Sequence, residues 1–302
     1  MKALHPHCSV ELLCRLFGKS RQAYYKVKSH ADQQAAWHGQ ILTYVRQERE
    51  DQPRLGVDKL QYMLGQHQDI HIGRDALYNL LRANNLLVRR VKKYRPPTTN
   101  GDGISIYPDL RKTLQVSKVH QLWSADITYL SVRKGRAKHC YATFVVDEYS
   151  HLIVGYVITE DMTALSTLQA LKMAVDREQP PEDNSLVFHT DRGSQFKSTV
   201  FQNYLADHKI RPSMTQYGKP EDNPVSERLN GILKEELLDG DTFEHYEQAR
   251  QMVSRAVHIY NTRRPHRSCQ MLTPQQAHVR GSGPLKKLWK QRKKTAPPSA
   301  LT

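Results

Sequence analysis

Three carboxylates in this sequence combine the residue type and the spacing that phosphodiester chemistry requires. Asp126 lies in the strand-like run LWSADITYL, and Asp191 lies 65 positions later in FHTDRGSQF, directly after a short apolar run. Glu227 lies in the helical stretch NPVSERLNGILKEEL, with 35 residues between it and Asp191. Mg²⁺ prefers oxygen ligands, and two such ions can activate an attacking oxygen and stabilise a leaving oxygen. The triad therefore predicts a site for two Mg²⁺ or Mn²⁺ ions, in which Asp126 bridges both ions and each of the other two acids binds one.

Each acid alone also has an ordinary structural explanation. An Asp at a strand end commonly forms a turn, and a Glu on a helix is commonly exposed. Asp147 and Glu148 compete as site acids, but they follow the second strand-like run at its turn, at the far end of the sheet from Asp126 if the strands alternate. We therefore expect a turn role for these two, and the triad is a site only if its members meet in space.

The elements around the triad follow the order of a ribonuclease-H-like fold. Runs rich in Val, Ile, Tyr, Phe and Thr indicate strands, and apolar residues three and four apart indicate helices. Three antiparallel strands, followed by helix, strand, helix, strand and helix, predict an α/β core with a mixed five-stranded sheet flanked by helices. In that order Asp126 and Asp191 approach at adjacent strand ends, and Glu227 reaches them from a helix across the sheet edge. The predicted strands are 122–130, 140–146, 152–158, 186–190 and 211–215, and the predicted helices are 164–177 and 198–207.

The N-terminal residues 9–28 are typical of a helix-turn-helix. Gly18 is placed to end a first amphipathic helix, and Ser20 is placed to cap a second one. The second helix carries Arg21, Tyr25 and Lys26, which suit the major groove and its phosphates, so we predict that they contact DNA. An ordinary helical hairpin is the alternative interpretation.

More helices and a basic run follow before the catalytic core. A longer helix is predicted over 34–51 after a polar spacer at 28–33, and GVDKLQYMLGQH and GRDALYNLLRANNLL then indicate two short amphipathic helices. Residues 75–84 resemble another recognition helix, so a second helix-turn-helix is plausible. The run VRRVKKYR could follow a DNA backbone through Arg89, Arg90, Lys92 and Lys93. A solvated charged surface is the alternative for that run.

Charge is divided unevenly along the 302 residues, whose net charge is +15. Residues 1–100 carry 17 Lys and Arg against 8 Asp and Glu, residues 284–302 carry 6 basic residues and no acid, and residues 101–283 carry 22 of each. Basic arms around a neutral centre indicate that the ends bind a polyanion. We predict a helix-turn-helix at 1–30, a second helical DNA-binding module at 31–95, a linker at 96–116, the catalytic core at 117–283 and a basic tail at 284–302.

Other protein classes fit the sequence poorly. The sequence has no run of eighteen apolar residues and no signal-peptide pattern, so we expect a soluble intracellular protein without a membrane partner. The four cysteines are scattered without a C-x-x-C pair, which argues against disulfides and against a structural zinc site built on cysteines.

Several motifs give the sequence a family resemblance. WSADITYL, VVDEYSHLIVGYVI, FHTDRGSQF and DNPVSERLNGILKEEL resemble, in order and spacing, the catalytic core of insertion-sequence transposases of the OrfB type, which share that core with retroviral integrases. The closing segment IYNTRRPHRSCQMLTPQQA is similar to the end of the family's core. The resemblance is strong over residues 118–280 and weaker over the N-terminal modules. The histidine and cysteine pairs of retroviral integrase zinc domains are absent from the sequence.

The resemblance implies roles for individual residues. It implies that Asp126, Asp191 and Glu227 are the catalytic metal ligands and that Lys234 contacts DNA. Lys234 lies two helical turns after Glu227 and therefore on the same helix face. His189 either faces the site or packs in the core. The other predicted DNA contacts flank the second and third acids: Arg192, Gln195, Asn223 and Arg228.

Together these features predict a D-D-E DNA transposase, a polynucleotidyl transferase with endonuclease activity. Such an enzyme binds the terminal inverted repeats of an insertion sequence, cleaves strands with metal ions and transfers the freed 3′-hydroxyl to target DNA. A structure-specific ribonuclease-H-like nuclease and a catalytically inactive DNA-binding regulator are the alternatives. We expect double-stranded DNA and further copies of this chain as partners, no small-molecule cofactor, and a bacterial cytoplasmic location at the nucleoid.

Overall fold

A computed structural model describes residues 6–88, 104–135, 138–216, 223–238 and 242–285. The chain divides into two compact units, one formed by residues 1–50 and 55–89 and the other by residues 51–54 and 90–302. The first unit is helical, and the second contains the sheet. Residues 89–93 of the predicted basic run and residues 286–302 of the predicted basic tail lie outside the described residues.

The helical unit contains four helices in its described part: α1 (Val10–Leu16), α2 (Arg21–Asp51), α3 (Val57–His67) and α4 (Arg74–Ala83). The predicted turn between the first two is confirmed, because Gly18 has a φ of 62° and the Ser20 hydroxyl accepts a hydrogen bond from the Ala23 amide at 3.0 Å. The core of the unit comes from one face of α2 and from α3 and α4, with Ile41, Leu60 and Leu77 each fully buried.

Helix α2 differs from the prediction. The spacer expected at 28–33 and the boundary expected after residue 30 both lie inside this continuous 31-residue helix. The spacer is polar, but it contains neither Gly nor Pro, so no residue in it ends a helix. Within α2 only Ile41, Tyr44 and Val45 are buried. The N-terminal half of α2, with Arg21, Tyr25 and Lys26, is therefore largely exposed.

The second unit is built on a mixed sheet of β1 (Leu122–Val132), β2 (His139–Asp147), β3 (Ile153–Thr159), β4 (Val187–Thr190), β5 (Arg211–Met214) and the short β6 (Thr242–Phe243). The five main strands have the order β3-β2-β1-β4-β5. The first three strands pair antiparallel, and β4 and β5 join β1 in parallel. This order confirms the predicted ribonuclease-H-like fold and its five strands. A short sixth strand, which the sequence did not indicate, pairs in parallel with the end of β1.

Helices cover both faces of this sheet. One face packs against α5 (Ala164–Glu178) and α6 (Thr199–Asp207) through a core that includes Trp123 and Phe188. The other face packs against α7 (Pro224–Ile232) and α8 (Tyr246–Thr262), and the core there includes Phe144 and Tyr260. A final helix, α9 (Pro274–Arg280), begins with a capping box between Thr273 and Gln276. Because successive residues of a strand point to opposite faces, each residue of β1 is assigned to one of these two layers.

The predicted linker at 96–116 is ordered in part against the catalytic core. The Leu110 amide donates to the Ser213 hydroxyl at 2.9 Å, and the Gln216 side chain donates to the Tyr107 carbonyl at 2.8 Å. The Met214 amide reaches the Pro108 carbonyl at 3.4 Å. Residues 104–114 thus satisfy polar groups beside β5 and belong to the core rather than to a free linker. In the described part of the chain, no helix is long and apolar enough to cross a membrane.

Candidate active site

Strand pairing places the first two acids of the triad beside each other. The parallel ladder between β1 and β4 pairs Leu122 with Val187 and ends at Ser124 and His189. Asp126 and Asp191 each lie two residues beyond that last pair, so the same register brings them side by side. Asp191 directly follows β4, as predicted, but Asp126 lies in the middle of β1 rather than at its end. β1 continues to Val132 because it stays paired with β2 after β4 has ended.

The alternation of β1 points Asp126 toward α7. Trp123 and Ala125 face the α5 and α6 layer, so Ser124 and Asp126 face the opposite layer. The Ser124 hydroxyl contacts the Ser226 hydroxyl of α7 at 3.3 Å, and the Asn230 side chain donates to Asp126 Oδ2 at 2.7 Å. Helix α7 therefore lies directly over the acid-bearing part of β1.

Glu227 comes to this region on the same helix. Asn223 precedes α7, and Pro224 occupies its first turn, where a missing amide hydrogen has no cost. Glu227 lies one turn before Asn230, so the two residues share a helix face. The side chain of Glu227 is exposed, and its negative charge is close enough to raise the pKa of Asp126.

Burial and like charges perturb the acids. The pKa of Asp126 is raised to about 7, first by desolvation, then by the negative charge of Asp191, with a smaller contribution from Glu227. Hydrogen bonds from the Ile127 amide and Asn230 oppose this rise. Desolvation also raises the pKa of Asp191, against a hydrogen bond from the Gly193 amide and the nearby charges of Arg192 and Lys197. Three acids from β1, the end of β4 and α7 thus form one electrostatically coupled group.

This group fits divalent metal ions by its chemistry. The donors are carboxylate oxygens, which Mg²⁺ prefers, and a cation would relieve the repulsion that raises the pKa of Asp126. The amide oxygen of Asn230 is also buried without a hydrogen-bond partner, next to Asp126. In the described part of the chain, the ligand atoms of the three carboxylates do not all lie within 4.8 Å of one another. The triad is therefore more open than a metal site whose ligands are already in place.

The turn after Asp191 is organised by that residue itself. The Gly193 amide donates to Asp191 Oδ1 at 2.9 Å, so this amide holds the acid. A Cβ atom at Gly193 would lie 3.0 Å from that same Asp191 oxygen and 3.0 Å from Gln195 Oε1. Arg192 and Gln195 are partly exposed at this turn, and their predicted DNA contacts stay predictions.

The structure buries Asn223 against β1, and its predicted contact with DNA stays a prediction. Its side chain is 7% exposed and donates to the Ala125 carbonyl at 3.2 Å, because the start of α7 is pressed onto β1. No sequence pattern indicates this contact, since a residue before a helix is usually a cap exposed to solvent.

Arg228 and Lys234, the basic residues of this helical region, both contact other groups of the second unit. Arg228 is exposed and forms an ion pair with Glu236 at 3.3 Å. Lys234 lies in a π-helical segment, Leu233–Leu237, and donates to the Tyr129 carbonyl of β1 at 2.5 Å. The same-face prediction assumed an unbroken α-helix, whereas α7 ends at Ile232, so the shared face with Glu227 and the contact of Lys234 with DNA both stay predictions.

The structure also shows the surroundings of His189 and of the two competing acids, Asp147 and Glu148. His189 is fully buried and its Nδ1 lies 2.9 Å from the Ser213 hydroxyl, so it packs in the core. Asp147 is fully buried and accepts hydrogen bonds from Ser150 of its turn, which agrees with the expected turn role. The expectation that Asp147 lies far from Asp126 is wrong, because Asp147 pairs with Trp123, three residues before Asp126 on β1. Glu148 is half-buried, and desolvation raises its pKa to about 7.

Asn230 is the site residue that sequence reasoning missed. It contacts Asp126 directly, yet it is an uncharged residue within a run that contains more conspicuous acids and bases. Its position three residues after Glu227 is the one signal that could have indicated it, because residues three apart share a helix face.

Sequence comparisons relate this chain to integrase core domains and to insertion-sequence proteins. Two sequence families, both described as "Integrase core domain", match residues 116–220 and 208–274. The chain is 28% identical over 275 residues to the Escherichia coli protein "Transposase InsF for insertion sequence IS3A", covering 89% of this chain and 93% of that protein. It is 29% identical over 266 residues to the Shigella sonnei "Insertion element IS600 uncharacterized 31 kDa protein", covering 87% of this chain and 96% of that protein.

Solved structures of retroviral integrases are more distant. The catalytic core of HTLV-2 integrase in complex with magnesium is 20% identical, covers 57% of this chain and 98% of that one, and gives a TM-score of 0.41. A simian T-cell lymphotropic virus intasome chain is 18% identical, covers 78% of this chain and 76% of that one, and gives a TM-score of 0.44.

The integrase-type core defines a polynucleotidyl transferase. The chain belongs to the insertion-sequence transposases that carry this integrase-like catalytic core.

Proposed function

We propose that this transposase binds the terminal inverted repeats of an insertion sequence, cleaves the strands at the element ends and transfers each freed 3′-hydroxyl to target DNA. The observation that supports this most directly is the coupled acid group, in which negative neighbours and burial raise the pKa of Asp126 to about 7. A buried carboxylate group of this kind requires positive charge to be fully ionised, and divalent ions together with phosphate oxygens provide it.

Asp126, Asp191 and Glu227 are the proposed metal ligands and catalytic residues. Two Mg²⁺ or Mn²⁺ ions bound there would activate the attacking oxygen and stabilise the leaving oxygen of an in-line displacement. Asn230 fixes one oxygen of Asp126 by its hydrogen bond, and the Gly193 amide fixes one oxygen of Asp191. These two contacts leave the other carboxylate oxygens oriented before substrate binds, which lowers the cost of assembling the site.

DNA binding is proposed to use both units. Arg21, Tyr25 and Lys26 lie exposed on the N-terminal half of α2, where no core packing holds their side chains. Arg192, Gln195 and Lys234 border the acids and would contact phosphates near the reacting strand. Arg89, Arg90, Lys92 and Lys93 remain proposed backbone contacts. Joining two element ends needs at least two active sites, so we propose that the enzyme acts as a homo-oligomer on DNA, at the bacterial nucleoid.

Cleavage of a labelled inverted repeat, taken from DNA flanking the gene, tests this proposal. Wild type should cut at the element end only with Mg²⁺ or Mn²⁺ and should join pre-cut ends to target DNA. Asp191→Asn should bind the repeat with unchanged affinity but should neither cut nor join, because one metal-binding carboxylate is lost.

The assay also separates the alternative functions. Cutting without joining of pre-cut ends would favour a ribonuclease-H-like nuclease. Salt-sensitive binding without any cutting by wild type would favour a DNA-binding regulator. Full activity in Asp191→Asn would show that the proposed triad is not the active site.

A further inference from the structure

A second group of ligand-type side chains lies away from the acid triad. His120 precedes β1, Glu178 is the last residue of α5, and His278 lies in α9. One ligand atom from each residue lies within 4.8 Å of the other two. The group lies at the start of β1, which begins at Leu122. Asp126 lies four residues further along this strand, roughly 13 Å away at ~3.3 Å per residue. The two groups are therefore separate.

Hydrogen bonds determine which nitrogen of His278 is available. The Ser150 hydroxyl donates to Asp147 Oδ1 at 2.9 Å and also lies 2.9 Å from His278 Nδ1. Because its own hydrogen is used on Asp147, Ser150 accepts a hydrogen bond from His278 Nδ1. The other nitrogen, Nε2, lies 2.9 Å from Glu178 Oε2. A nitrogen lone pair at that distance from a carboxylate is repulsive, so either a proton or a metal ion must lie on Nε2.

His120 favours the metal ion. Its ring lies 5.1 Å from that of His278 in an edge arrangement, and its Nδ1 atom is buried without a hydrogen-bond partner. A proton on His278 would satisfy Glu178 alone, whereas a metal ion would also give a nitrogen of His120 a partner.

We propose that His120, Glu178 and His278 bind a divalent transition-metal ion of the zinc class and that this ion ties α9 and the end of α5 to the start of β1. Two imidazoles and one carboxylate form a zinc ligand set, with a fourth position for water. Zinc bonds of about 2.0–2.2 Å place ligand atoms roughly 3.4 Å apart, so a group already within 4.8 Å needs only small side-chain movements. Ser150 supports His278 from behind, as the outer partners of metal-binding histidines commonly do.

A neighbouring group provides a matched control. His151, His266 and Cys269 also have ligand atoms within 4.8 Å of one another. The Cys269 thiol donates to the Ser150 carbonyl at 3.3 Å, and burial raises its pKa to about 12, so a thiolate ligand is disfavoured there. Cys269→Ser should therefore leave zinc binding unchanged.

Zinc stoichiometry of the full-length chain tests the proposal. The chain, with the three triad acids replaced by their amides to remove the other metal site, is loaded with Zn²⁺, dialysed and analysed by mass spectrometry of its metals. We expect about one ion per chain, retained in Cys269→Ser and lost in His120→Gln and His278→Gln. His120→Gln preserves the Glu178 and His278 pair, and circular dichroism confirms that each variant is folded.

Thermal unfolding supplies a second measurement. Zn²⁺ should raise the unfolding temperature of the parent chain and of Cys269→Ser but not of His120→Gln, because only the ligated fold gains binding energy. The proposal is overturned by a parent chain that retains no zinc after dialysis, by His variants that retain it, or by loss of zinc in Cys269→Ser.

Discussion

The raised pKa of Asp126 predicts a specific pH dependence of stability. An acid that holds its proton until about pH 7 in the folded state, but releases it near its ordinary value of 3.8 when unfolded, destabilises the fold as pH rises between those values. Each pH unit in that window costs about 1.4 kcal/mol, and the loss stops above pH 7. Asp126→Asn removes the titrating group while leaving an oxygen that accepts from Asn230. The variant should therefore gain stability over wild type as pH rises.

The magnitude follows from the pKa. Between pH 5 and pH 8, the free energy of unfolding of wild type falls only over the two pH units from 5 to about 7. The loss amounts to about 3 kcal/mol at most, because the carboxylate is partly exposed. For a unit of this size, each kcal/mol changes the unfolding temperature by about 2–4 °C. In a chelator, Asp126→Asn should thus gain up to roughly 6–12 °C over wild type between these two pH values, measured by calorimetry.

Metal addition and a matched variant decide the cause. Mg²⁺ at pH 8 should raise the unfolding temperature of wild type and not of Asp126→Asn, because the ion binds the ionised triad. Glu148→Gln is the control, since Glu148 also has a pKa raised to about 7 by burial but lies outside the triad. It should show a similar pH effect and keep the full response to Mg²⁺. Identical pH dependence in wild type and Asp126→Asn would refute the reasoning.

Other predictions concern the contacts around the acids. Asn230→Ala removes the hydrogen bond to Asp126, so the rate of strand cleavage should fall about 10- to 100-fold. The acidic limb of the pH–rate profile should also move to higher pH, whereas an unchanged profile would limit Asn230 to a packing role. Lys234→Ala should weaken binding of different DNA sequences alike and lower the slope of log affinity against log salt concentration by about one. Lys234→Arg should retain most of the binding, and an unaltered slope in Lys234→Ala would show that Lys234 does not contact DNA. Gly155→Ala should destabilise the core unit by about 1–3 kcal/mol or more, seen as a lower unfolding temperature, because its Cβ would lie 2.8 Å from Ala174 Cβ and closer still to the Ala170 carbonyl oxygen.

The sequence by itself determined most of the fold. Periodic apolar runs and turn residues placed the five main strands within one or two residues of their observed ends, because local propensity and burial agree there. The same patterns placed Asp191 after β4 and Glu227 on a helix, since strand ends and capped helices have clear local signals. The spacing of the acids and the family motifs identified the triad before any contact was known.

Tertiary structure decided what local patterns do not encode. The sequence predicted a strand that runs past Asp126, but only the register of β1 with β4 decided that Asp126 and Asp191 lie side by side. It could not show that Asn230 contacts Asp126 or that Asn223 is buried, because both depend on how closely α7 approaches β1. The sequence also predicted a break in α2 that the structure does not have. The spacer is polar because that part of the helix is exposed to solvent, and an exposed helical segment without Gly or Pro resembles a loop in sequence.

The clearest case is the group of His120, Glu178 and His278. These residues are 58 and 100 positions apart in the chain, so no spacing rule connects them. They meet only because the sheet, α5 and α9 fold their ends together at the start of β1. Local sequence patterns thus determined the elements and proposed the catalytic acids, whereas contacts between residues distant in the chain required the packing of those elements.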